Sequence, residues 1–191
     1  MNSNKMIEKI YQLVEETCKK ETNVFSPEVW QTHFLPVVKY AKLLAKQRKV
    51  DIEVVEIAAL LHDFASISNE NEVEEHHVYG QKHAQQILSD FDYPQEKIDQ
   101  VKHCIFAHRG SQNIQRETVE ADCIADADAM AHFDALASLF YLAYVVKRKG
   151  DLEGKKFVRD KLERSWKKLT PDAREVIKDK YEAVKLLIDY K

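Results

Sequence analysis

Residues 58–66 read AALLHDFAS, and this short stretch decides both the fold class and the position of the candidate site. Its small and branched apolar residues predict a buried helical face, yet the run is interrupted by His62 and Asp63. Upstream, Asp51 stands where an N-cap belongs, so the predicted helix covers residues 51–63. An imidazole and a carboxylate are therefore predicted side by side at the end of a helix that lies in the core.

The rest of the chain also has helical periodicity. It contains only four glycines and four prolines, and no alternating apolar–polar run long enough for a strand. Ser26 is the predicted N-cap of another long helix, with Pro27 at its first position. Pro36 either bends this helix or lies near its true start at His33. The predicted fold class is all-α, with further helices at residues 6–20, 74–89, 94–108, 117–149 and 153–190, the last broken near Thr170–Pro171.

Composition limits the classes of function. Charged residues make up 32% and hydrophobic residues 45%, as in ordinary globular domains, and a formal charge of −3 gives no basic surface for nucleic acid. The start, MNSNKMIEKI, lacks the apolar core of a signal peptide, and no apolar run has the length of a membrane span. Three unclustered cysteines argue against a disulfide framework or a thiolate zinc site. We expect a cytoplasmic protein without a nucleic-acid or membrane partner, and the sequence is compatible with a homodimer.

Polar residues interrupt the apolar stripes of several predicted helices. His33, His62 and His108 each continue the inward stripe of their own helix at steps of three or four residues. Asp128 shares a face with alanines and an isoleucine, a surface of small residues that lets helices approach closely. Asp126 falls on the other side of the same helix. At least three histidines and one or two aspartates are therefore predicted to point inward.

Taken singly, each of these residues reads as an ordinary core histidine or helix-end carboxylate with hydrogen-bond partners. As a set they are costly, because an unpaired buried carboxylate costs several kcal/mol and no lysine or arginine lies on these stripes. A divalent cation satisfies the whole set, since neutral imidazole and carboxylate oxygen are usual ligands of such ions. On this interpretation His62 and Asp63 are adjacent because both reach one ion.

The order His33, His62-Asp63, Asp128 resembles the H…HD…D signature of the HD-domain metal-dependent phosphohydrolase superfamily, an all-α fold. The resemblance covers about residues 26–145. The chain length and the short connections predict a single domain over residues 1–191, with a C-terminal helical extension at 150–190. By likeness to the superfamily's last motif, Asp128 rather than Asp126 takes the ligand role. Asp126 is then either a residue behind the ligands or a helix-surface charge.

Some members of this superfamily hold two metals through extra histidines. The segment EEHHVYGQKHAQQIL resembles their H-x-x-x-G element, which maps an extra ligand onto His76, and CIFAHRGS supplies His108. His83 shares a stripe with His76 and is a candidate for the pocket lining, whereas His77 and His103 are predicted to be ordinary polar surface. The resemblance thus implies one or two divalent ions per chain (Mn, Mg, Fe, Ni or Zn), held by His33, His62, Asp63, Asp128, His76 and His108.

The implied function is a phosphohydrolase that acts on a nucleotide or a related phosphoester, a small phosphorylated molecule. The predicted catalytic residues are His62 and Asp63, which hold the ion, and Arg109, which binds phosphate. Lys82 is a second candidate cation, and both cations also read as surface charges. A metal ion lowers the pKa of its bound water and polarises a phosphoryl oxygen.

The sequence disfavours two known substrates of this superfamily and leaves two other functions open. The chain has FASI after the HD pair and HRGSQN from His108, so it lacks the Glu-Asp pair of (p)ppGpp hydrolases and the GYP element of cyclic-di-GMP phosphodiesterases. A di-iron HD-fold oxygenase stays open, because it uses the same six ligands. So does a metal-holding regulatory module that docks through its C-terminal helices, although the spacing of Phe157, Leu162, Trp166 and Leu169 favours helices that cover the core.

Overall fold

The computed structural model of the chain describes residues 3–110, 112 and 114–188. Regular structure in these ranges is helical throughout, which confirms the predicted all-α class. The α-helices are α1 (Ser3–Cys18), α2 (Leu35–Arg48), α3 (Ile52–Leu61), α4 (Phe64–Ser68), α5 (His76–Ser89), α6 (Gln95–Ala107), α7 (Val119–Asp134), α8 (Leu136–Tyr141), α9 (Asp151–Lys168) and α10 (Pro171–Ile188). Two π-helical turns, Trp30–Phe34 and Leu142–Val146, precede α2 and follow α8, and a 3₁₀ turn spans Glu70–Glu72.

Helices α3 and α7 form the centre of the core. The Asp51 side chain accepts hydrogen bonds from the backbone N–H groups of Glu53 and Val54 at 3.0 and 3.2 Å, which confirms the predicted N-cap of α3. In α7 the residues from 123 to 133 are all buried, and the helix packs against α2, α6 and α9. Its alanines allow this close approach on several sides. A polar side chain on α7, such as Asp128, is therefore enclosed by neighbouring helices.

The helix predicted from Ser26 begins later than its N-cap signal indicated. Ser26 Oγ accepts a hydrogen bond from the Glu28 backbone N–H at 3.2 Å, but this closes a turn, and helical structure starts at Trp30. Pro36 lies in the first turn of α2, where its missing N–H costs no helical hydrogen bond. The expectation of a start near His33 is thus the closer one. His33 lies in the π-helical turn, three residues before this proline.

The single helix predicted over residues 117–149 is wrong, because the chain turns sharply after Asp134. Helix α7 and the segment Leu136–Val146 meet at 83°, and Ala135 between them leaves helical geometry. No glycine or proline marks this bend in the sequence. In the described part of the chain, no single helix is long and apolar enough to cross a membrane, and only the bent pair meets that length and composition together.

The C-terminal helices cover the core from one side. Helix α9 ends at Lys168 and α10 begins at Pro171, so the predicted break near Thr170–Pro171 is confirmed. Val158 and Leu162 of α9 are buried, and α9 packs against α7. The predicted helix end at residue 190 lies outside the described residues. These contacts place the polar face of α9 opposite Asp128.

Gly80 sets the spacing between α5 and α6. A Cβ added there would lie 2.8 Å from Cγ2 of Ile105, which is too close for two carbon atoms. We expect Gly80→Ala to lower the free energy of unfolding by about 1–3 kcal/mol, because this contact forces a shift of α5. Urea unfolding measures the change. Gly150→Ala is the matched control, since a Cβ at Gly150 meets nothing within 4 Å, and equal losses in both variants would contradict the packing account.

Candidate metal centre

The first group of potential ligands is His33, His62 and Asp128. His33 comes from the π-helical turn, His62 follows α3 directly, and Asp128 lies in the middle of α7. The Nε2 atoms of His33 and His62 are 3.1 Å apart, and His33 Nε2 is 3.7 Å from Asp128 Oδ1. One ligand atom from each residue lies within 4.8 Å of the others. Three donors from separate parts of the chain thus converge on one point.

The second group is Asp63, His76 and His108. Asp63 follows His62 in the turn between α3 and α4, His76 is the first residue of α5, and His108 follows α6. Their ligand atoms also lie within 4.8 Å of one another. The contact at Gly80, one turn after His76, brings α5 against α6 and so places His76 beside His108. The H-x-x-x-G element is therefore a packing element as well as a ligand motif.

Asp63 joins the two groups through its two carboxylate oxygens. Oδ2 is 3.6 Å from His33 Nε2 and 3.5 Å from His62 Nε2. Oδ1 is 3.4 Å from His76 Nε2 and 3.5 Å from His108 Nε2. Oδ1 is also buried and has no hydrogen-bond partner among the described residues. Because an unpartnered buried carboxylate oxygen is costly, this atom fits a cation between it and the two imidazoles.

Three of the histidines are held in the same tautomer. A carbonyl oxygen only accepts hydrogen bonds, so an Nδ1 atom that contacts one carries the proton and leaves a lone pair on Nε2. Such a bond from the second ring nitrogen also orients metal-binding histidines. Nδ1 donates to the carbonyl three residues earlier in His62 (to Ala59, 2.8 Å), His76 (to Val73, 2.8 Å) and His108 (to Ile105, 2.5 Å).

The protonation states of the site suit a cation. Burial lowers the pKa of His62 to about 4, so this ring is neutral at pH 7. Burial alone would raise the pKa of Asp63, but attraction from His62 and His76 lowers it well below the usual value. Burial is likewise outweighed at Asp128, where the Lys168 ammonium holds the pKa of the carboxyl well below its usual range. A neutral imidazole and two ionised carboxylates are forms that bind divalent metals.

The donor set and its spacing therefore fit a divalent ion. Two ring nitrogens that bind one ion at about 2.0–2.1 Å lie about 3 Å apart, close to the separation of the His33 and His62 nitrogens. Mn, Fe, Ni and Zn bind well to imidazole nitrogen together with carboxylate oxygen, whereas Ca prefers a site of oxygen ligands only. The residues that would hold the ions are His33, His62, Asp63 and Asp128 on one side, and Asp63, His76 and His108 on the other.

These elements also match known proteins. The HD-domain family model matches residues 30–132, more than half of the 191-residue chain. The chain belongs to the HD-domain family. This confirms the superfamily that the H…HD…D pattern indicated. A sequence search of the curated proteins finds no match.

Several solved structures share the HD fold over nearly the whole chain. Lin1889 from Listeria innocua is 19% identical, with a TM-score of 0.73, and the match covers 99% of this chain and 94% of that one. Bacillus subtilis YpgQ in complex with ADP is 21% identical, with a TM-score of 0.72 and coverages of 99% and 94%. An HD-superfamily hydrolase from Bacillus thuringiensis is 20% identical, with a TM-score of 0.71 and coverages of 98% and 95%. At these identities the likeness shows the fold, and together with the family it supports a metal-dependent hydrolase.

The two ligand groups, His33, His62 and Asp128 together with Asp63, His76 and His108, are here called the HD site. Helical periodicity did not predict one lysine of this site. The stripes themselves carry no cation, but Lys168 of α9 reaches across and places Nζ 2.8 Å from Asp128 Oδ2. Lys168 also donates to the His108 carbonyl oxygen at 2.8 Å. The premise that Asp128 lacks a cationic partner is therefore wrong, because the partner comes from a distant part of the chain. Asp63 has no such lysine, so its unpartnered Oδ1 now carries the case for an ion.

His132 is a further polar residue of the HD site that sequence reasoning missed. Its ring stacks on His33 with centroids 5.5 Å apart, and its Nε2 lies 3.6 Å from Asp128 Oδ1. Nδ1 is 2.9 Å from Ser165 Oγ of α9. Burial is the larger cause and repulsion from Lys161 the next of a pKa that lies well below the usual value for His132. The signal was present, since His132 lies one helical turn after Asp128.

Asp126 does not belong to the metal site. Its side chain is completely buried, so the helix-surface alternative is wrong. Oδ2 accepts from Arg48 Nη2 at 2.7 Å and from Thr170 Oγ1 at 2.6 Å, and Oδ1 accepts from the Thr170 backbone N–H at 3.1 Å. Arg48 also contacts Asp172 at 2.8 Å. Asp126 thus ties α2 and α7 to the start of α10 in a buried ion pair.

The remaining histidines serve packing. His77 is 4% exposed and stacks on Phe106, so the prediction of a surface position is wrong. His103 is half-buried, and its Nε2 accepts a hydrogen bond from the Glu117 backbone N–H at 3.0 Å. His83 pairs with Glu72 at 2.7 Å and is not among the described residues that line the cavity. The histidine cluster of the site therefore consists of the two ligand groups and His132 beside them.

The two candidate phosphate-binding cations differ in position. Arg109 lines the cavity beside His108, with Nη1 bonded to the Glu74 carbonyl oxygen and 3.1 Å from His77 Nδ1. Lys82 is exposed and lies over the Tyr79 ring, away from the cavity lining. Arg109 therefore stays a candidate for substrate contact, while the surface interpretation fits Lys82.

The HD site opens into a cavity of about 760 Å³. This volume accommodates a small organic ligand the size of a nucleotide. Residues of both metal-ligand groups and of α9 line this cavity. Its lining also includes apolar residues from the segment before α2, from α8 and the turn after it, and from α9, among them Phe25, Val29, Leu139, Leu142 and Phe157. The cavity thus combines charged and apolar side chains.

Removal of the metal should lower thermal stability. An ion that binds only the folded state stabilises it by about 2.7 kcal/mol at 100 times its Kd. For a chain of this length, we expect chelation to lower Tm by roughly 5–10 °C, and added Mn²⁺ to restore it. Differential scanning calorimetry after chelation and dialysis measures the shift. An unchanged Tm, with metal loss verified by elemental analysis, would contradict a metal at the ligand groups.

Proposed function

We propose that the protein is a metal-dependent phosphohydrolase that acts on a nucleotide or a related phosphoester. The carrying observation is that Asp63 directs one oxygen to each of two histidine groups at the edge of a cavity with cationic side chains. Hydrolysis of a phosphoester needs an activated water and a neutralised phosphoryl charge. The complex of the structurally similar YpgQ with ADP supports a nucleotide as the ligand class.

Each residue has a definite task in this proposal. When bound, a divalent ion lowers the pKa of coordinated water and polarises a phosphoryl oxygen. His62 presents Nε2 to the ion, since its ring is buried and its Nδ1 donates to the Ala59 carbonyl oxygen, and Asp63 supplies one oxygen to each ligand group. Lys168 holds Asp128 in place and keeps that carboxyl ionised. Arg109, on the cavity wall beside His108, donates to phosphate oxygens.

The direct test is phosphate or pyrophosphate release from nucleotides under strictly anaerobic conditions. We expect turnover with Mn²⁺ or Mg²⁺ alone, because hydrolysis needs no oxidant. We also expect His76→Ala to weaken turnover without erasing it, since the His33 side of the site is unchanged in this variant. Malachite-green detection of phosphate with a panel of nucleotides measures the release, and parallel samples treated with inorganic pyrophosphatase report released pyrophosphate.

The same six ligands would also suit two irons in an oxygenase. This alternative predicts the opposite dependence of turnover on oxygen. Turnover would need both iron and oxygen, and both His76→Ala and His108→Ala would abolish it. That result would overturn the hydrolase proposal. A purely regulatory module would show metal binding with no turnover of any phosphoester, which would also overturn it.

A further inference from the structure

Helix α9 presents a row of cations to the cavity. Lys161, Arg164 and Lys168, here called the α9 cationic face, are spaced by three and four residues and all line the cavity. Lys168 is engaged, because its ammonium bonds Asp128 and the His108 carbonyl. Arg164 is exposed at the rim, and Lys161 is half-buried. The three cations therefore differ in how far their charge is already compensated.

Lys161 is the uncompensated member of this face. Within the described residues its ammonium makes no hydrogen bond and no ion pair, even with Asp63 or Asp128. Burial lowers the pKa of Lys161, although the two aspartates favour its charged form from a distance. A lysine that loses hydration without gaining a partner is costly to the free protein. An anionic ligand in the cavity would supply that partner.

The charges of the site indicate how much negative charge the ligand brings. Asp63 and Asp128 bring two carboxylates to the site, and Lys168 already pairs with Asp128 at 2.8 Å. Each divalent ion therefore leaves an excess of positive charge, and Arg164 at the rim adds to it. A phosphate next to the ligand groups neutralises part of this excess. Lys161 lines the same cavity without pairing with the ligand carboxylates, so its ammonium is available to a second phosphate of the same ligand.

We propose that Lys161, with Arg164 beside it, forms a subsite for a second phosphate, so that the cavity selects a nucleoside diphosphate or triphosphate over a monophosphate. This inference rests on the proposed function, since it assumes that the reacting phosphate lies at the metal-ligand groups. Lys161 binds the phosphate of the nucleotide that is bonded to the reacting phosphate, and takes no part in bond cleavage.

Calorimetric titration of the Mn²⁺-loaded protein tests the subsite with α,β-methylene-ADP and AMP as probes, in excess Mn²⁺. Because a charge-assisted hydrogen bond is worth about 1.5–3 kcal/mol, we expect Lys161→Met to weaken α,β-methylene-ADP binding at least about tenfold. AMP binding should change less than about threefold. Lys161→Arg keeps the charge and should retain most of the preference for the diphosphate.

Lys167→Met is the matched control, because Lys167 is exposed and faces Glu163 rather than the cavity. It should change neither Kd. The Tm of metal-free Lys161→Met should stay the same or rise, since the lysine has no protein partner to lose, whereas a structural role would lower it. Equal losses for the two probes, no loss for either, or a wild-type protein that binds neither would overturn the subsite.

Failure of the subsite and failure of the hydrolase are distinguishable. If wild-type protein releases no phosphate from any nucleotide but Lys161→Met still loses diphosphate binding selectively, the hydrolase fails and the subsite stands. If wild-type protein hydrolyses nucleotides and Lys161→Met binds both probes as wild type does, the subsite fails and the hydrolase stands.

Discussion

Asp63→Asn is expected to abolish both metal binding and turnover. The carboxylate oxygens of Asp63 lie 3.4–3.6 Å from four imidazole nitrogens, so one side chain serves both ligand groups. An amide offers one neutral oxygen instead of two charged ones, and cannot replace the ligand on both sides. Because loss of a residue that merely supports a ligand costs 10–100-fold in affinity or activity, we expect at least about a hundredfold loss here. Elemental analysis and the anaerobic phosphate assay measure the two effects.

Asp99→Asn is the control for this variant. Asp99 is an exposed carboxylate of α6 that pairs with Lys102 at 3.3 Å, far from any ligand role. Its replacement should leave metal content and turnover unchanged. Asp63→Asn should keep its helical circular dichroism, since Oδ1 has no hydrogen-bond partner among the described residues to lose. Wild-type metal stoichiometry in folded Asp63→Asn would contradict the ligand assignment.

Asp126→Asn is expected to lower stability, whereas Asp128→Asn is expected to lower turnover. Asp126 is buried against Arg48 and Thr170, so Asp126→Asn should lower the free energy of unfolding by about 3 kcal/mol. Asp128→Asn removes a ligand beside His33 and should cost at least about a hundredfold in turnover. Urea unfolding in chelator and turnover per folded molecule separate the two losses.

Each variant is the control for the other, because they differ by two positions on one helix. Asp126→Asn should retain near-wild-type turnover below its unfolding transition. Asp128→Asn keeps an amide oxygen for Lys168, so its unfolding should change less than that of Asp126→Asn. If Asp126→Asn instead removed turnover without loss of stability, the roles of the two residues would be reversed and the assignment of the α7 face wrong.

Much of the HD site could be predicted because its residues lie on regular helices. Helical periodicity shows which side chains share a face, and this placed His62, His108 and Asp128 inward. Asp51 could be predicted as an N-cap, since the signal is local. His132 obeys the same periodicity relative to Asp128 and could have been found by it. The resemblance to the HD family then supplied the order of the motifs.

The position of the α9 cationic face beside the ligand groups could not be predicted in the same way. Lys161 and Lys168 belong to α9, whose contact with α7 joins residues far apart in the sequence. A periodic pattern shows that a face is covered but does not identify the helix that covers it. The bend at Ala135, which directs the chain over the cavity, carries no glycine or proline signal. His77 reads as a polar surface residue for a similar reason, because only the packing of Phe106 encloses it.

Anomalous diffraction from Mn²⁺-loaded crystals, with data collected near the manganese edge, tests the central claim most directly. We expect two peaks, one among His33, His62 and Asp128 and one between His76 and His108, with Asp63 in contact with both. A single peak in the first group would contradict only the expectation of a second ion, and the first ion would stand. Absence of any peak in contact with Asp63, in crystals whose manganese content is verified by fluorescence, would contradict the metal centre and the hydrolase proposal with it.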